Sequence, residues 1–293
     1  MTDEQKSGQS LPQVGPASAD VTGFVWRRGL TEPASAMYLE NSKLKRPHTP
    51  IDADDPVVAA NLRAIDRHTL VLEEIVSRGG KRYESVSSVA LDEPDLTHID
   101  LAEALASRRS VRRFAPGPVE ADTLAAMLGI GYGANATDPD RRYVPSAGAL
   151  YPCEIYLAAI EETPPLEGTT LYHYRSCDHR VERLRSFEHE ELLALFTPPN
   201  RFSNSAAVVF VTGAIPRLSW KYGECALRYA LLEVGHIVQT MCLVAVAERI
   251  SACPVVGFYD DAVHDFMDID GTSEVVLCSV FLGRELGHSE DER

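Results

Sequence analysis

Hydrophobic and polar positions divide this chain near residue 100. Residues 1–20 are rich in Ser, Gln, Gly, Pro and Asp and hold no apolar stretch, the composition of a disordered leader. Residues 21–95 are mixed, with helical spacing near 56–77, and 92–100 reads as an acidic linker around Pro94. From Leu101 the pattern tightens. A helix is expected over 101–107, stopping at a run of arginines, and a second over 121–131 with Leu124, Met127 and Leu128 on one face. Gly131-Tyr132-Gly133 ends it, and a polar loop runs to Arg142. The apolar run 153–160 reads as a strand, 171–174 and 180–184 as a hairpin about Cys177-Asp178, and 206–214 (AAVVFVTGA) as a buried strand. A long helix is expected from about Glu224 to Arg249, apolar on more than one face and therefore central. A loop at 254–258, a short helix at 260–266 and a last strand at 274–281, closed by Gly283-Arg284, complete the series. Strands and helices alternate without a GxGxxG turn, which argues against a dinucleotide fold.

Composition narrows the function classes. A chain of 293 residues fits one large domain with an extension, here 101–293 preceded by 21–100 and the leader 1–20. The formal net charge of −15 repels nucleic acid and anionic membranes, so neither is an expected partner and local basic clusters read as sites for small anions. The six cysteines form no CxxC pair and mostly lie in apolar runs, so reduced buried thiols are expected rather than disulfides or a metal site. The most apolar stretch, 237–247, is short for a bilayer and is flanked by His236 and Glu248. No signal peptide is visible, and the expected location is cytoplasmic.

Three clusters carry candidate chemistry. Arg108, Arg109, Arg112 and Arg113 fall within six positions around Ser110. They suit either a solvated helix end or charge-assisted binding of a phosphate. About thirty residues on, Val144-Pro145-Ser146-Ala147-Gly148-Ala149-Leu150-Tyr151-Pro152 is a small-residue turn between prolines. It is either a structural entry to the next strand or bare backbone against which a flat ring can lie. A flat ring and a phosphate together describe flavin mononucleotide (FMN). Lys221-Tyr222-Gly223 lies just before the long helix, whose positive end would ease deprotonation of either side chain. Such a pair can take a proton from carbon, unless it is a surface lysine beside a packing tyrosine. His236 is expected to be a satisfied core histidine, and Tyr172-His173-Tyr174 with His179 a strand surface.

Taken in order, RRSVRRF, VPSAGALYPCEIYL, LYHY…VERL, KYGECALRYALLEVGHIVQ, ACPVVGF and the terminal LGR resemble the nitroreductase superfamily. Within it they are most similar to the SagB-type branch, the azoline-oxidising dehydrogenases that form thiazoles and oxazoles in peptides. The likeness covers about 101–284, and 38–43 looks like the branch's N-terminal segment. It implies an α+β fold with a mainly antiparallel sheet, and a homodimer with FMN at the subunit interface beside the long helix. Carried over by position, Arg108, Arg109, Ser110 and Arg112 match the first FMN-contacting motif, and Ser146, Gly148 and Ala149 the turn beside the ring. Val256 and Gly257 match a later loop near the ring, Arg284 a phosphate contact, and Lys221 and Tyr222 the catalytic pair of the azoline oxidases. Simple nitroreductases often place asparagine in that turn and lack the pair, whereas this chain has Ala149 and keeps it. The implied reaction is proton abstraction by Lys221 or Tyr222 with hydride transfer to flavin N5. Its substrate is a ribosomal or other peptide, and cyclodehydratase proteins are candidate partners. The alternatives are an NAD(P)H-dependent FMN reductase of nitro compounds or quinones, and a flavin-free scaffold subunit.

Overall fold

The apolar runs become the inner strands of one twisted sheet in this computed structural model. It describes residues 38–39, 41–43, 80–94, 99–197 and 202–286. The leader 1–20 and the helical spacing at 56–77 lie outside the described residues. The chain divides into two compact units, Met1–Lys43 and Leu44–Arg293. In the first, the described residues form a helical turn in which Ser42 N donates to Tyr38 O at 2.9 Å.

In the second unit the strands are β1 (Ser88–Ala90), β2 (Ala134–Asn135), β3 (Asp138–Arg142), β4 (Cys153–Ala159), β5 (Thr170–Arg175), β6 (Arg180–Ser186), β7 (Ala207–Ala214), β8 (Ile250–Val255) and β9 (Glu274–Arg284). The helices are α1 (Leu101–Ser107), α2 (Ala121–Tyr132), α3 (His189–Ala194), α4 (Pro216–Tyr222), α5 (Ala226–Ala247) and α6 (Asp260–Met267). Seven strands form a sheet in the order β1-β6-β5-β4-β7-β9-β8, and every pairing is antiparallel. Such an order needs no crossover helices, only hairpins and longer returns around the sheet.

Alternation along β4 sorts the two faces. Cys153, Ile155 and Leu157 pack with Met127 and Leu128 of α2 and Ile237, Met241 and Val244 of α5. Tyr156 and Ala158 point the other way, into an aromatic layer with Phe196, Phe210, Phe266 and Phe281. Helix α5 buries Ala230, Val234, Ile237, Met241 and Val244, a stripe at 3.6-residue spacing, while Leu231 and Leu232 stay exposed. The stretch Pro216–Ala247 is long and apolar enough to cross a membrane, but half of its most apolar window is buried inside the fold.

Beyond β1 and α3, which the sequence pattern did not reveal, three elements differ from the sequence reading. The loop expected at 254–258 starts later, because 250–255 pairs with β9 as β8. Pro254 is tolerated there since β8 is an edge strand, where a missing N–H removes no inner ladder bond. The polar loop before Arg142 is a two-stranded hairpin, β2–β3. Finally, 216–222 is a separate helix, α4, with proline at its start.

Candidate active site

The turn that leads into β4 is a left-handed stretch of backbone. Gly148, Ala149 and Tyr151 have φ of 62°, 54° and 46°. Left-handed non-glycine residues cost on the order of 1 kcal/mol each and persist only where surroundings hold them. Here Leu150 is fully buried with Leu218, Ala226 and Ala230, and Ser146 Oγ accepts from Tyr151 N at 2.9 Å. Gly148 and Ala149 remain exposed. Ala149 N is taken up by Ser146 O at 3.2 Å, so what the turn offers a planar ligand is the exposed backbone of Gly148.

Lys221 and Tyr222 stand over this turn. A Cβ added to Gly148 would lie 2.7 Å from Tyr222 Oη and 3.1 Å from Lys221 Nζ. Glycine at 148 therefore serves twice, admitting the positive φ and leaving room for an amine and a phenol. Gly148→Ala is expected to lower stability by about 1–2 kcal/mol through backbone strain and crowding. A urea titration reads the change, and an unshifted midpoint would show that the pair does not press on the turn.

The pair is not at the positive end of a helix. It closes α4 at its carbonyl end, and α5 begins only at Ala226, after a 3-10 turn at Gly223–Cys225. Gly223, with φ of 51°, breaks the two helices apart. The eased deprotonation expected from the helix field is therefore absent. Burial, reinforced by the neighbouring Tyr229, instead raises the Tyr222 phenol, and the two rings meet edge to face at 4.8 Å.

Beneath the turn lies a network that the sequence reading missed. Tyr132 Oη donates to Glu233 Oε1 at 2.7 Å and accepts from Cys153 N at 3.0 Å. The Arg142 guanidinium lies against both the Tyr132 and Tyr151 rings, 4.0 and 4.6 Å from their centroids. Burial raises the Glu233 carboxyl, opposed in part by the Ser146 and Tyr132 hydroxyls and by Arg142 and Arg217. The available signal was positional: Glu233 falls in the buried phase of α5, where a carboxylate is uncommon.

A second network occupies the opposite sheet face. His173 was expected on the surface, yet it is fully buried, with Nε2 3.0 Å from Glu154 Oε2 and Nδ1 2.9 Å from Glu182 Oε2. The β5 register points it inward between strands β4 and β6. Two carboxylates outweigh the cost of burial and raise the His173 imidazole. Lys81 Nζ joins this face at 2.8 Å from Glu274 Oε2 and 2.7 Å from Tyr156 Oη. His236, expected in the core, lies on the exposed side of α5.

The arginine set sits elsewhere. After α1, Arg109 Nη1 donates to Ala106 O at 2.7 Å and Arg108 O at 2.9 Å, capping the helix end. Arg108 reaches Ser110 Oγ at 3.5 Å, and Arg112 is exposed. Arg109 and Val111 line a cavity of about 390 Å³ with Cys242, Ala245 and Ala252. Arg284 Nη1 donates to Pro116 O at 3.3 Å, and Ala115 N to Arg284 O at 3.0 Å, so Arg284 and this loop meet. Val256 and Gly257 follow β8, with Val256 exposed and Gly257 O accepting from Thr197 N at 3.0 Å.

The structure thus gathers Ser146, Gly148, Ala149, Lys221 and Tyr222 at one end of α5 and the start of β4. It gathers Arg108, Arg109, Ser110, Arg112 and Arg284 near the other end of α5 and the end of β9. From the helix rise of 1.5 Å and the strand rise of about 3.3 Å per residue, the groups lie roughly 20–30 Å apart within one chain. Among the described residues no group of His, Cys, Asp and Glu is placed to hold a metal ion.

Residues 105–284 match the nitroreductase family. The chain belongs to this family of oxidoreductases. It is 31% identical over 194 residues to a Methanocaldococcus jannaschii protein assigned to the nitroreductases, covering 66% of this chain and 95% of that protein. It is 26% identical over 147 residues to the microcin B17-processing protein McbC of Escherichia coli, covering 49% of this chain and 54% of McbC. Among solved structures, a nitroreductase-type protein of Ralstonia eutropha superposes with a TM-score of 0.58 at 18% identity, covering 71% of this chain and 93% of that one. A chain of the E. coli microcin synthetase McbBCD complex, with truncated pro-MccB17 bound, superposes with a TM-score of 0.54 at 21% identity, covering 78% and 94%. At these identities the two superpositions establish the nitroreductase-like α+β fold.

Proposed function

We propose that this nitroreductase-family chain is an FMN-dependent dehydrogenase that oxidises a thiazoline or oxazoline ring of a peptide to the azole. The observation that carries the reading is the amine and phenol of Lys221 and Tyr222 set over the open face of Gly148. The similarity to McbC, a microcin-processing protein, supports the substrate class.

The residues present fit FMN. An exposed turn with no side chain at Gly148, flanked by Ser146 and Ala149, suits the ring. Arg108, Arg109, Ser110, Arg112 and Arg284 would supply hydrogen bonds and positive charge for the phosphate, and Val256 and Gly257 would border the ring. When bound, the flavin supplies a hydride acceptor. The chain's own residues do the rest. The raised Tyr222 phenol rests neutral and serves as a hydrogen-bond donor to the azoline, leaving removal of the acidic ring proton to Lys221. The buried Leu150 anchors the turn from below, so the turn is held rigid as a surface on which the reacting ring can be positioned.

One FMN cannot reach both the turn and the arginine set of a single copy, because the two lie farther apart than the cofactor is long. We therefore read the enzyme as a homodimer in which each flavin takes its ring contacts from one copy and its phosphate contacts from the other. Mixing Arg109→Glu with Tyr222→Phe protein is expected to regain activity that neither has alone, since one hybrid site would be intact. No regain after co-refolding would reject the shared site.

The relative assigned to the nitroreductases favours a second reading, reduction of nitro compounds by NAD(P)H. The two separate on one assay of the yellow, FMN-loaded protein. The proposed function predicts azole formation from a synthetic peptide bearing one thiazoline, and slow flavin bleaching by NADPH. Rapid bleaching with nitroarene turnover and no azole would replace the first reading with the second. A protein that stays colourless after added FMN would leave the scaffold role.

A further inference from the structure

We propose that Arg217 is a positioning residue that sets Lys221 and Tyr222 in register over Gly148. Its guanidinium joins the two halves of the candidate site. Nη1 donates to Tyr151 O at 3.2 Å, the last residue of the left-handed turn. Nη2 pairs with Glu154 Oε1 at the start of β4. Arg217 is the second residue of α4, one helical turn before Lys221, so the two side chains lie on neighbouring parts of one helix face. A single planar fork therefore fixes the helix that carries the pair to the turn that the pair covers, which a flexible single-point donor cannot do.

The anchor behind Arg217 is rigid. Glu154 accepts from His173 Nε2 at 3.0 Å and from Lys81 N at 3.1 Å, and His173 is in turn held by Glu182 at 2.9 Å. Glu182 Oε2 also accepts from Tyr83 N at 3.2 Å. Burial favours the neutral Glu154 carboxyl, but His173 and Arg217 outweigh it and hold its pKa at about 2. Glu154 is thus charged throughout the working pH range, and Arg217 has a fixed partner. The strain at Ala149 and Tyr151 needs such an external restraint, and Tyr151 O has it in Arg217.

The inference rests on the proposed role of Lys221 and Tyr222, and its test separates the two. Arg217→Met removes both donors and keeps the stem. With the FMN-loaded protein and a synthetic thiazoline peptide, kcat is expected to fall about 100-fold, as for a small misplacement of catalytic groups. KM and flavin absorbance should stay within twofold of the unsubstituted protein. In Arg217→Ala, added guanidinium ion is expected to restore at least a tenth of the lost rate. The readout that needs no turnover is a crystal structure of Arg217→Met, where Tyr222 Oη should have left its place over Gly148. Should Arg217→Met not fold, Arg217→Lys keeps a cation beside Glu154, gives up the second bond to Tyr151 O, and is read in the same way. An unmoved Tyr222 Oη, or an unchanged kcat, overturns the inference. If Lys221→Ala and Tyr222→Phe abolish the reaction while Arg217 variants do not, only the Arg217 role falls. If those two variants stay active, the proposed function falls, and the crystal structure alone decides on Arg217.

Discussion

Lys221→Ala and Tyr222→Phe are expected to keep FMN and lose azole formation by about 10²–10⁴-fold, the usual contribution of a positioned proton-transfer group. Tyr222→Phe isolates one hydroxyl. The ring still packs edge to face on Tyr229, so the fold and the turn keep their support. Lys221→Ala removes the amine 3.1 Å from the Gly148 Cβ position while leaving the Tyr222 ring it overhangs at 5.4 Å. The two losses should differ in size, the larger falling on Lys221→Ala, which removes the proposed base. The measurement is kcat on the thiazoline peptide with flavin content fixed by absorbance. Full activity in both variants would remove the pair from the chemistry.

The largest effect on stability should come from His173. His173→Ala leaves Glu154 and Glu182 buried without the cation between them, and breaking a buried ionic cluster costs about 3–5 kcal/mol. For a domain of this size that is a fall in Tm of roughly 10 °C. The pH dependence has a definite sign. The His173 imidazole is raised above 6.5 in the fold, so its stabilisation is complete below 6.5 and is lost as pH climbs through the raised value. The Glu154 carboxyl is lowered from 4.5 to about 2, so its stabilisation is complete above 4.5 and is lost as pH falls toward 2. The gap between the parent and His173→Ala should therefore be widest between pH 4.5 and 6.5, read from urea midpoints at a series of pH values. A gap that stays constant up to pH 9 would show that His173 is not held as a cation.

Much of this architecture is legible in the chain because apolar runs and their breakers act locally. The runs 153–160, 206–214 and 274–281 appear as β4, β7 and β9 within a few residues, since inner strands must be apolar on both faces. The buried face of α2 at Leu124, Met127 and Leu128 follows from spacing alone. What local pattern could not show is charge placed against type. His173 lies in a strand whose neighbours are tyrosines, and only the pairing of β5 with β4 and β6 puts two glutamates against its nitrogens. Helix α4 is seven residues long, too short for periodicity, so the pattern puts Lys221 and Tyr222 at a helix start, whereas they close α4. Arg217 and Glu233 act through partners 63 and 101 residues away in sequence, a separation that no spacing rule detects.

The segment at 80–91 limits how this domain can be excised. The family match begins at residue 105, but β1 borders the sheet through β6, and Lys81 neutralises Glu274 from the N-terminal side. A fragment trimmed to the match would bare the β6 edge for pairing with other chains and leave Glu274 facing Tyr156 without its counter-ion. Expression work on the catalytic half should therefore start at or before Gly80, and insolubility of a shorter piece would speak of a lost hem, not of a defective enzyme.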